Sequence, residues 1–176
     1  VFDVKSDGRH KARLVAGGHL TPTETSHNYT GVVSLKCMRI VMFIAELNDL
    51  ELKTGDISNA YLTAKTNERV VCKAGPEFRD YGLEGHTLRI VKALYGLKTS
   101  GTRFFESFAK SLLHMGFKPS LADTEVWIKD CGTHYEYCCT YVDDLLYAGK
   151  DSKGFFDEIL KLGYKLKGVG DPKYHL

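Results

Sequence analysis

Two adjacent acids, Asp143 and Asp144, stand between two apolar stretches of the chain. Residues 135–142 before them and residues 145–148 after them are rich in strand formers, which predicts a hairpin with both acids at its tip. Two neighbouring carboxylates repel each other, and a divalent cation, which prefers hard oxygen ligands, would neutralise them. A solvated loop tip is the alternative interpretation, because Asp-rich turns are common. The apolar strands weigh against it, since they draw the tip into the body of the domain.

A metal site needs a further carboxylate, and the candidate is Asp56 at the end of a predicted strand over residues 50–57. A strand that ends in one acid, beside a hairpin that carries two, can focus three carboxylates on one point. Two Mg²⁺ ions about 3.5–4 Å apart could then support an in-line phosphoryl displacement. The residues alone therefore predict a two-metal phosphotransferase as a candidate function.

The elements that would position these acids are read from periodicity and turn residues. Helices are predicted at 34–48, with Ser34 as N-cap and a buried stripe of Ile40, Val41, Ile44 and Leu47, and at 102–115, where Gly116 ends the helix. A third helix begins at residue 154, with a turn at Gly163. Further strands are predicted at 2–5 and 10–16 around Ser6-Asp7-Gly8, at 69–74 and at 87–91. Interleaved strands and helices with at least two hairpins predict an α+β domain with a mainly antiparallel sheet.

The composition of the 176 residues is that of one soluble globular domain, with 43% hydrophobic and 26% charged residues. It excludes disorder, collagen and coiled coil, and no apolar run approaches the 18 residues of a membrane-spanning helix. The net charge of +2 is too mild to indicate nucleic-acid binding by itself. A stretch without acids from residue 86 to 105 is locally basic, and a solvated face is the alternative interpretation.

Cysteine and histidine give no metal pattern in the sequence. The five cysteines are odd in number and contain no Cys-x-x-Cys pair, and the seven histidines have no metal-ligand spacing. We therefore expect neither a disulfide framework nor a zinc site, and a reduced intracellular protein is favoured.

Five segments in order carry a resemblance to a known family: Lys11–Ala16, Asp56–Leu62, Lys92–Lys98, Tyr141–Asp144 and Lys173-Tyr174. Together they resemble the reverse transcriptase domain of copia-type LTR retrotransposons, a Pseudoviridae-like Pol polyprotein. The resemblance covers nearly the whole chain. It implies a right-hand polymerase with a palm and partial fingers, in which an antiparallel sheet packs on helices and the thumb is missing.

The resemblance also implies an organisation and an activity. Residues 1–176 would form a single fingers and palm fragment, with a fingers hairpin and loop at 1–33 and a palm with a fingers insertion at 34–176. The reaction would be RNA-directed DNA synthesis, in which a deoxynucleotide is added to a primer 3′-hydroxyl and pyrophosphate is released. Two Mg²⁺ ions, with Mn²⁺ as an alternative, are the implied cofactors.

Within that family pattern, Asp56 and Asp143 would be the principal metal ligands and Asp144 the third carboxylate. Tyr61 matches an aromatic position that acts as a steric gate against a ribose 2′-hydroxyl, and a core aromatic is the compatible alternative. Ile57 belongs to the same nucleotide-binding segment.

The early hairpin would lie over the incoming nucleotide. Arg13 is the first candidate for a triphosphate contact, since its planar fork can donate two parallel hydrogen bonds, followed by Lys11 and then Lys5. A solvated strand of charges is the alternative.

Template and primer contacts are implied for Gly96, Lys98 and Tyr141. Gly96 would let the backbone approach the nascent base pair, and a plain turn glycine is the alternative. Lys165 or Lys167 lies where the family carries a lysine near the leaving pyrophosphate, although a surface lysine is the simpler interpretation.

The chain departs from the family pattern at Thr99-Ser100-Gly101, where Gln, a small residue and Pro are common. The missing Pro predicts a looser start of the following helix. Gly17 replaces a common Arg, and Trp127 lies in a stretch that usually contains Phe. These departures leave two other functions open. One is an inactive remnant of a decayed element that at most binds nucleic acid. The other is a different two-metal phosphotransferase or nuclease, although a nuclease has no triphosphate to hold.

The expected partners are an RNA template, a DNA or RNA primer, a dNTP and the rest of the Pol polyprotein, with its integrase and ribonuclease H. No membrane association is expected, and the expected location is the cytoplasm, in a virus-like particle, with the nucleus as the alternative. The chain begins at Val1, so we expect a piece of a longer chain. Without a thumb to grip the primer, it would be inactive or very weak alone.

Overall fold

The chain divides into two units in the computed structural model, which describes residues 1–4, 8–21 and 31–172. One unit combines Val1–Tyr29 with Tyr61–Phe104, and the other combines Thr30–Ala60 with Phe105–Leu176. Lys5, the turn residues Ser6 and Asp7, most of the predicted loop and the Lys173-Tyr174 segment lie outside the described residues.

The described residues form three helices and ten strands, joined by short 3₁₀ turns and loops. The helices are α1 (Leu35–Leu47), α2 (Ser100–His114) and α3 (Ser152–Lys161). The strands are β1 (Phe2–Val4), β2 (His10–Ala12), β3 (Glu51–Ile57), β4 (Val71–Lys73), β5 (Thr87–Arg89), β6 (Lys118–Pro119), β7 (Val126–Asp130), β8 (Tyr135–Tyr141), β9 (Asp144–Gly149) and β10 (Leu166–Gly170).

A six-stranded antiparallel sheet forms the centre of the second unit, in the order β10-β3-β9-β8-β7-β6. The predicted α+β class with a mainly antiparallel sheet is confirmed. Three strands were not predicted: β6, β7 and β10. Strand β10 contains Gly168 and Gly170, and its register shifts between Lys167 and Gly170, so it lacks the alternation that identifies a strand.

Helix α1 covers one face of this sheet. Ser34 caps it as predicted, since its Oγ accepts the N–H of Cys37 at 3.2 Å. The buried residues are Met38, Val41 and Ala45, which belong to one core cluster with Cys139, Leu146 and Ala148 of the sheet. The predicted stripe is wrong at two positions, because Ile40 and Leu47 are 47% and 66% exposed. The helix is turned so that its smaller residues meet the sheet.

Helix α3 packs against the opposite face through two aromatic residues. The ring of Phe155 stacks on Tyr147 at 4.3 Å between centroids, and Phe156 packs edge-on to Phe155 at 5.1 Å. A Cβ at Gly55 would lie 2.8 Å from the Phe156 ring, so this glycine lets α3 approach β3 closely. The residue beside Asp56 is therefore fixed by helix packing.

The adjacent Cys138 and Cys139 point to opposite faces of β8, and both are buried. Burial raises the pKa of Cys138 well above its ordinary value and that of Cys139 to about 12. Both thiols are therefore neutral at physiological pH and act as small apolar core residues.

The first unit contains two short antiparallel hairpins, β1–β2 and β4–β5. The strand predicted to run to Ala16 ends at Ala12. The residues that follow contact the segment around Tyr95 and Gly96. The N–H of Ala16 donates to the carbonyl of Tyr95 at 2.7 Å. A Cβ at Gly96 would lie 2.1 Å from the Ala16 carbonyl oxygen, and the φ of Gly96 is +90°. Glycine is therefore required here by two backbones in contact.

The start of α2 is firmly tied, contrary to the looser start predicted from the missing Pro. The N–H of Thr99 donates to Oε1 of the buried Glu68 at 3.2 Å, and the Thr99 hydroxyl donates to the same oxygen. The Ser100 hydroxyl donates to the Leu94 carbonyl at 2.6 Å. The side chains of Glu68, Thr99 and Ser100 thus restrain the start of α2, where the family commonly has a proline.

Among the described residues, no helix has both the length and the apolarity needed to cross a membrane.

We expect Gly96→Ala to lower the free energy of unfolding by about 3 kcal/mol, because the new methyl group meets a backbone oxygen. Gly85→Ala is the matched control, since Gly85 also has a positive φ, +77°, but nothing lies within 4 Å of its Cβ position. Strain at positive φ alone costs about 1 kcal/mol. Urea unfolding of both variants measures the difference, and equal losses would contradict the backbone contact.

Candidate active site

Four residues form a row across the end of the large sheet. Asp144 is paired in register with Tyr141 on one side and with Asp56 on the other, and Asp56 is paired with Lys167. Residues directly opposite in an antiparallel sheet point to the same face, so all four side chains lie on one face. Strand alternation places this row on the face that α1 covers farther along β9.

The turn of the hairpin is displaced by one residue from the prediction. Tyr141 pairs with Asp144, so Val142 and Asp143 are the two turn residues and Asp144 begins β9. The φ of Val142 is +55°, an uncommon value for a β-branched residue. A positive φ at the first of two turn residues fits a type II′ hairpin turn, where glycine is normal. The strained valine therefore holds the turn that presents Asp143.

The turn is also attached to the neighbouring strand. The N–H of Ile57 donates to the carbonyl of Asp143 at 2.8 Å. The side chain of Ile57 is fully buried, so its predicted contact with a nucleotide could involve only the main chain. Ile57 thus links the strand that carries Asp56 to the turn that carries Asp143.

Asp56 has a cation beside it. Lys167 Nζ lies 2.9 Å from Asp56 Oδ1, an ion pair between partly exposed side chains. This oxygen is shielded from solvent and receives no aligned hydrogen bond within the described part of the chain. Of the two lysines left open by the sequence, Lys167 is the one at the carboxylate, whereas Lys165 is exposed and uses its carbonyl to accept the Ser58 N–H at 2.7 Å.

The donor set fits a hard divalent cation. Asp56, Asp143 and Asp144 offer only carboxylate oxygens, and the lysine ammonium already shows that a positive charge is stable against Asp56. The three carboxylates share one end of the sheet, but their oxygens do not all lie within 4.8 Å of one another. Mutual repulsion favours this separation, and a divalent cation would favour a closer approach.

Aromatic rings surround two predicted nucleotide contacts in the first unit. Tyr61 packs on Tyr95 at 5.0 Å and on Phe104 at 6.3 Å between centroids. Tyr61 is half-buried, which is compatible with both a core role and an exposed ring edge. The guanidinium of Arg13 lies 5.4 Å from the centre of the Tyr95 ring, a cation–π contact, while Lys11 is half-buried on β2.

All three residues predicted to contact template or primer make contacts within the protein. Gly96 meets the Ala16 carbonyl, as described above. Lys98 Nζ donates to the carbonyl of Thr21 at 2.8 Å, so a phosphate contact would have to share this ammonium group. Tyr141 is half-buried beside Asp144 and packs against the core cluster on the α1 face.

The fold and this row define an α+β domain with a carboxylate site at one end of its sheet. Comparison with protein families identifies its kind. A family model described as "Reverse transcriptase (RNA-dependent DNA polymerase)" matches residues 1–176. The chain belongs to this reverse transcriptase family, and the resemblance to the copia-type domain is confirmed.

Two relatives from Arabidopsis thaliana are similar over most of this chain. The Retrovirus-related Pol polyprotein from transposon RE2 is 31% identical over 152 residues, which cover 84% of this chain and 10% of the relative. The corresponding polyprotein from transposon RE1 is 31% identical over 151 residues, which cover 83% of this chain and 10% of the relative. The chain therefore spans about a tenth of the length of these curated relatives.

We expect Val142→Gly to raise the free energy of unfolding by up to ~1 kcal/mol, because glycine adopts a positive φ without strain. Val71→Gly is the matched control, since this exposed valine lies in β4 and has no positive φ. The free energy of unfolding of Val71→Gly should fall by ~1 kcal/mol, because glycine has a higher backbone entropy in the unfolded chain and a lower strand propensity than valine. Chemical denaturation compares them, and a similar loss in both variants would show that Val142 is unstrained.

We expect Lys167→Met to tighten Mg²⁺ binding by about two- to fivefold, since it removes a cation that competes for Asp56. The effect is small because the lysine is more than half exposed. Lys165→Met is the control and should leave the affinity unchanged. Isothermal titration with Mg²⁺ gives both values, and unchanged or weaker binding in Lys167→Met would refute the competition.

Proposed function

We propose that this chain provides the polymerase active site of an RNA-directed DNA polymerase. The reaction is the addition of a deoxynucleotide to a primer 3′-hydroxyl with release of pyrophosphate. The observation that carries the proposal is the in-register pairing of Asp56 with Asp144, with Asp143 in the adjoining turn. Membership of the reverse transcriptase family supports the same reaction.

Asp56 and Asp143 would be the principal ligands of two Mg²⁺ ions, and Asp144 the third carboxylate. The ions, when bound, supply a lowered pKa for the attacking 3′-hydroxyl and neutralisation of the triphosphate and the departing pyrophosphate. Mn²⁺, which also accepts carboxylate oxygens, is the alternative metal.

The protein contributes position and charge to this reaction. Asp56 is held on a strand that has neighbours on both sides, and Asp143 is held by the turn at Val142 and by the Ile57 hydrogen bond. Lys167 keeps a positive charge beside Asp56. A divalent cation that enters the site would replace the interaction of Asp56 with the Lys167 ammonium by one with the metal.

The nucleotide contacts are proposed for residues of the first unit. Arg13 is exposed, and its guanidinium is oriented by the Tyr95 ring, so its donors can meet a triphosphate. Lys11 is the second candidate, and Lys5 lies outside the described residues. Tyr61 would use its exposed edge to crowd a ribose 2′-hydroxyl.

Template and primer contacts are proposed for Gly96, Lys98 and Tyr141. Lys98 would donate to a phosphate while it keeps its hydrogen bond to the Thr21 carbonyl. Tyr141 would contact the primer end next to Asp144.

The two units suggest an assignment of the right-hand architecture. The second unit, which carries the three aspartates, would be the palm, and the first unit, with the early hairpin, would be the fingers. Residues 61–104 would then be the fingers insertion into the palm. We further propose an RNA template, a DNA or RNA primer, and the integrase and ribonuclease H of a Pol polyprotein as partners. A cytoplasmic virus-like particle is the proposed location.

Asp143→Asn is expected to lower primer extension by at least about a thousandfold, because it removes a charged metal ligand while keeping the side-chain volume. Extension of a DNA primer on an RNA template with Mg²⁺ is measured for a Pol polyprotein that contains this chain. Asp157→Asn is the matched control, since Asp157 is exposed on α3, and it should retain full activity.

A second measurement uses the 176-residue chain itself, in which Mg²⁺-dependent binding of a dNTP is followed by titration. Binding that is lost in Asp143→Asn supports the site even if this chain does not extend primers. Primer extension that survives Asp143→Asn would refute the mechanism. No extension and no Mg²⁺-dependent dNTP binding in the unaltered protein would instead favour the inactive remnant.

A further inference from the structure

Three residues with different metal-binding atoms meet at the turn between β7 and β8, at the end of β8 away from Asp143. Cys131, His134 and Glu136 each place one ligand atom within 4.8 Å of the other two, and no other such group of three occurs among the described residues. The seven residues of β8, Tyr135–Tyr141, separate this cluster from the turn that carries Asp143 by about 20 Å. The two sites are therefore distinct.

The hairpin itself builds the cluster. Strands β7 and β8 are paired up to Asp130 and Tyr135, and the N–H of Cys131 donates to the carbonyl of His134 at 2.9 Å. Asp130 accepts the N–H of Gly132 at 2.8 Å, and the φ of Gly132 is +79°. This tight turn fixes Cys131 opposite His134.

The third residue, Glu136, lies within β8, just after His134. The Nε2 atom of His134 lies 3.7 Å from Oε1 of Glu136, so the two side chains face each other. Strand alternation places Glu136 on the face of β8 that carries Cys138 and that α3 covers, opposite to the carboxylate row. Glu136 lies directly across from Lys129 on β7.

The cluster contains polar atoms that the protein leaves incompletely satisfied. His134 Nε2 is shielded from solvent and has no hydrogen bond from the residues that the structure describes, although Glu136 Oε1 lies 3.7 Å away. His134 Nδ1 shares a hydrogen bond with the Thr133 hydroxyl at 3.0 Å. If Nδ1 carries the proton, Nε2 presents a lone pair to the cluster. A nearly buried carboxylate completes it, since the Glu136 side chain is 10% exposed.

We propose that Cys131, His134 and Glu136 bind a single divalent cation of borderline softness, for which Zn²⁺ is the best fit. A thiolate, an imidazole and a carboxylate are the three ligand types of zinc sites, and a fourth position would remain for water. Two ligands at about 2.0–2.1 Å in tetrahedral geometry lie roughly 3.3 Å apart. The observed 3.7 Å between Nε2 and Oε1 needs only a small side-chain movement to reach this value. Mg²⁺ is disfavoured because it prefers an all-oxygen shell.

Lys129 does not block this site. Its Nζ lies 3.7 Å from Oε2 of Glu136, whereas His134 faces Oε1, so the two carboxylate oxygens serve different neighbours. The same ammonium lies 5.5 Å from the centre of the Phe117 ring, a cation–π contact that is independent of Glu136. A cation could therefore bind Oε1 while Lys129 stays in place.

Co²⁺ titration of the 176-residue chain under reducing conditions tests the proposal. Co²⁺ reports a thiolate ligand through a near-ultraviolet charge-transfer band, which should saturate at about one equivalent. Cys131→Ser should abolish the band, and His134→Gln should weaken binding at least about tenfold. Cys72→Ser is the matched control, because Cys72 is an exposed free cysteine on β4, and it should behave as the unaltered protein.

Zn²⁺ added alone provides the second readout. It should displace Co²⁺ and raise the melting temperature of the unaltered protein and of Cys72→Ser, but not of the two site variants. Excess Mg²⁺ should not remove the band, which separates this site from the aspartate site. A band that persists in Cys131→Ser, or no saturable band in the unaltered protein, would overturn the proposal. If Cys131→Ser is unfolded by circular dichroism, unchanged Co²⁺ affinity in His134→Gln overturns it instead.

Discussion

The repulsion between Asp56 and Asp144 is the constraint around which the second unit is arranged. Directly opposed carboxylates destabilise a sheet, so the fold must hold them by other means. Three features do so: the Ile57 hydrogen bond to the turn, the Lys167 ammonium beside Asp56, and the buried strands behind both acids. Asp56 and Asp144 lie at the strand ends, next to the buried core, where both side chains remain partly exposed to solvent.

Helices on both faces give the sheet that support. On one face α1 contributes small and medium side chains, and on the other α3 contributes a stacked aromatic cluster around Tyr147. Gly55 allows Phe156 to lie against the backbone of β3, one residue before Asp56. The core therefore fixes the direction of the strand at the point where its functional residue begins, and stability and chemistry depend on the same packing.

Local signals in the sequence were enough to predict much of the fold. Ser34 and the apolar pattern predicted α1, and the strand formers around Asp143 and Asp144 predicted the central hairpin. The turn was misplaced by one residue, because a positive φ at Val142 is opposite to the preference of a β-branched side chain. Strand β10 was missed because its glycines and exposed residues have no apolar alternation, and its place is decided by pairing with β3.

The site residues also divide into those that local sequence reveals and those that only the tertiary fold brings together. Asp56, Asp143 and Asp144 were recognisable because acids next to apolar strands are unusual and because their order matched a family. Lys167 could not be assigned, since its role depends on a register that the sequence does not reveal. Cys131, His134 and Glu136 have no familiar ligand spacing, and only the folding of the hairpin brings their side chains together. The buried Glu68, which holds the start of α2, was likewise invisible without the tertiary structure.

Strand β10 lies at the edge of the sheet and pairs with β3 alone. Edge strands with glycines and interrupted register are among the first parts of a sheet to open locally. The positive charge that accompanies Asp56 is thus carried on a segment that can detach while the strands bearing all three aspartates remain paired. Local opening of this edge would remove the Lys167 charge from Asp56 without unfolding the core. The net charge at the carboxylates is therefore coupled to the local opening of β10.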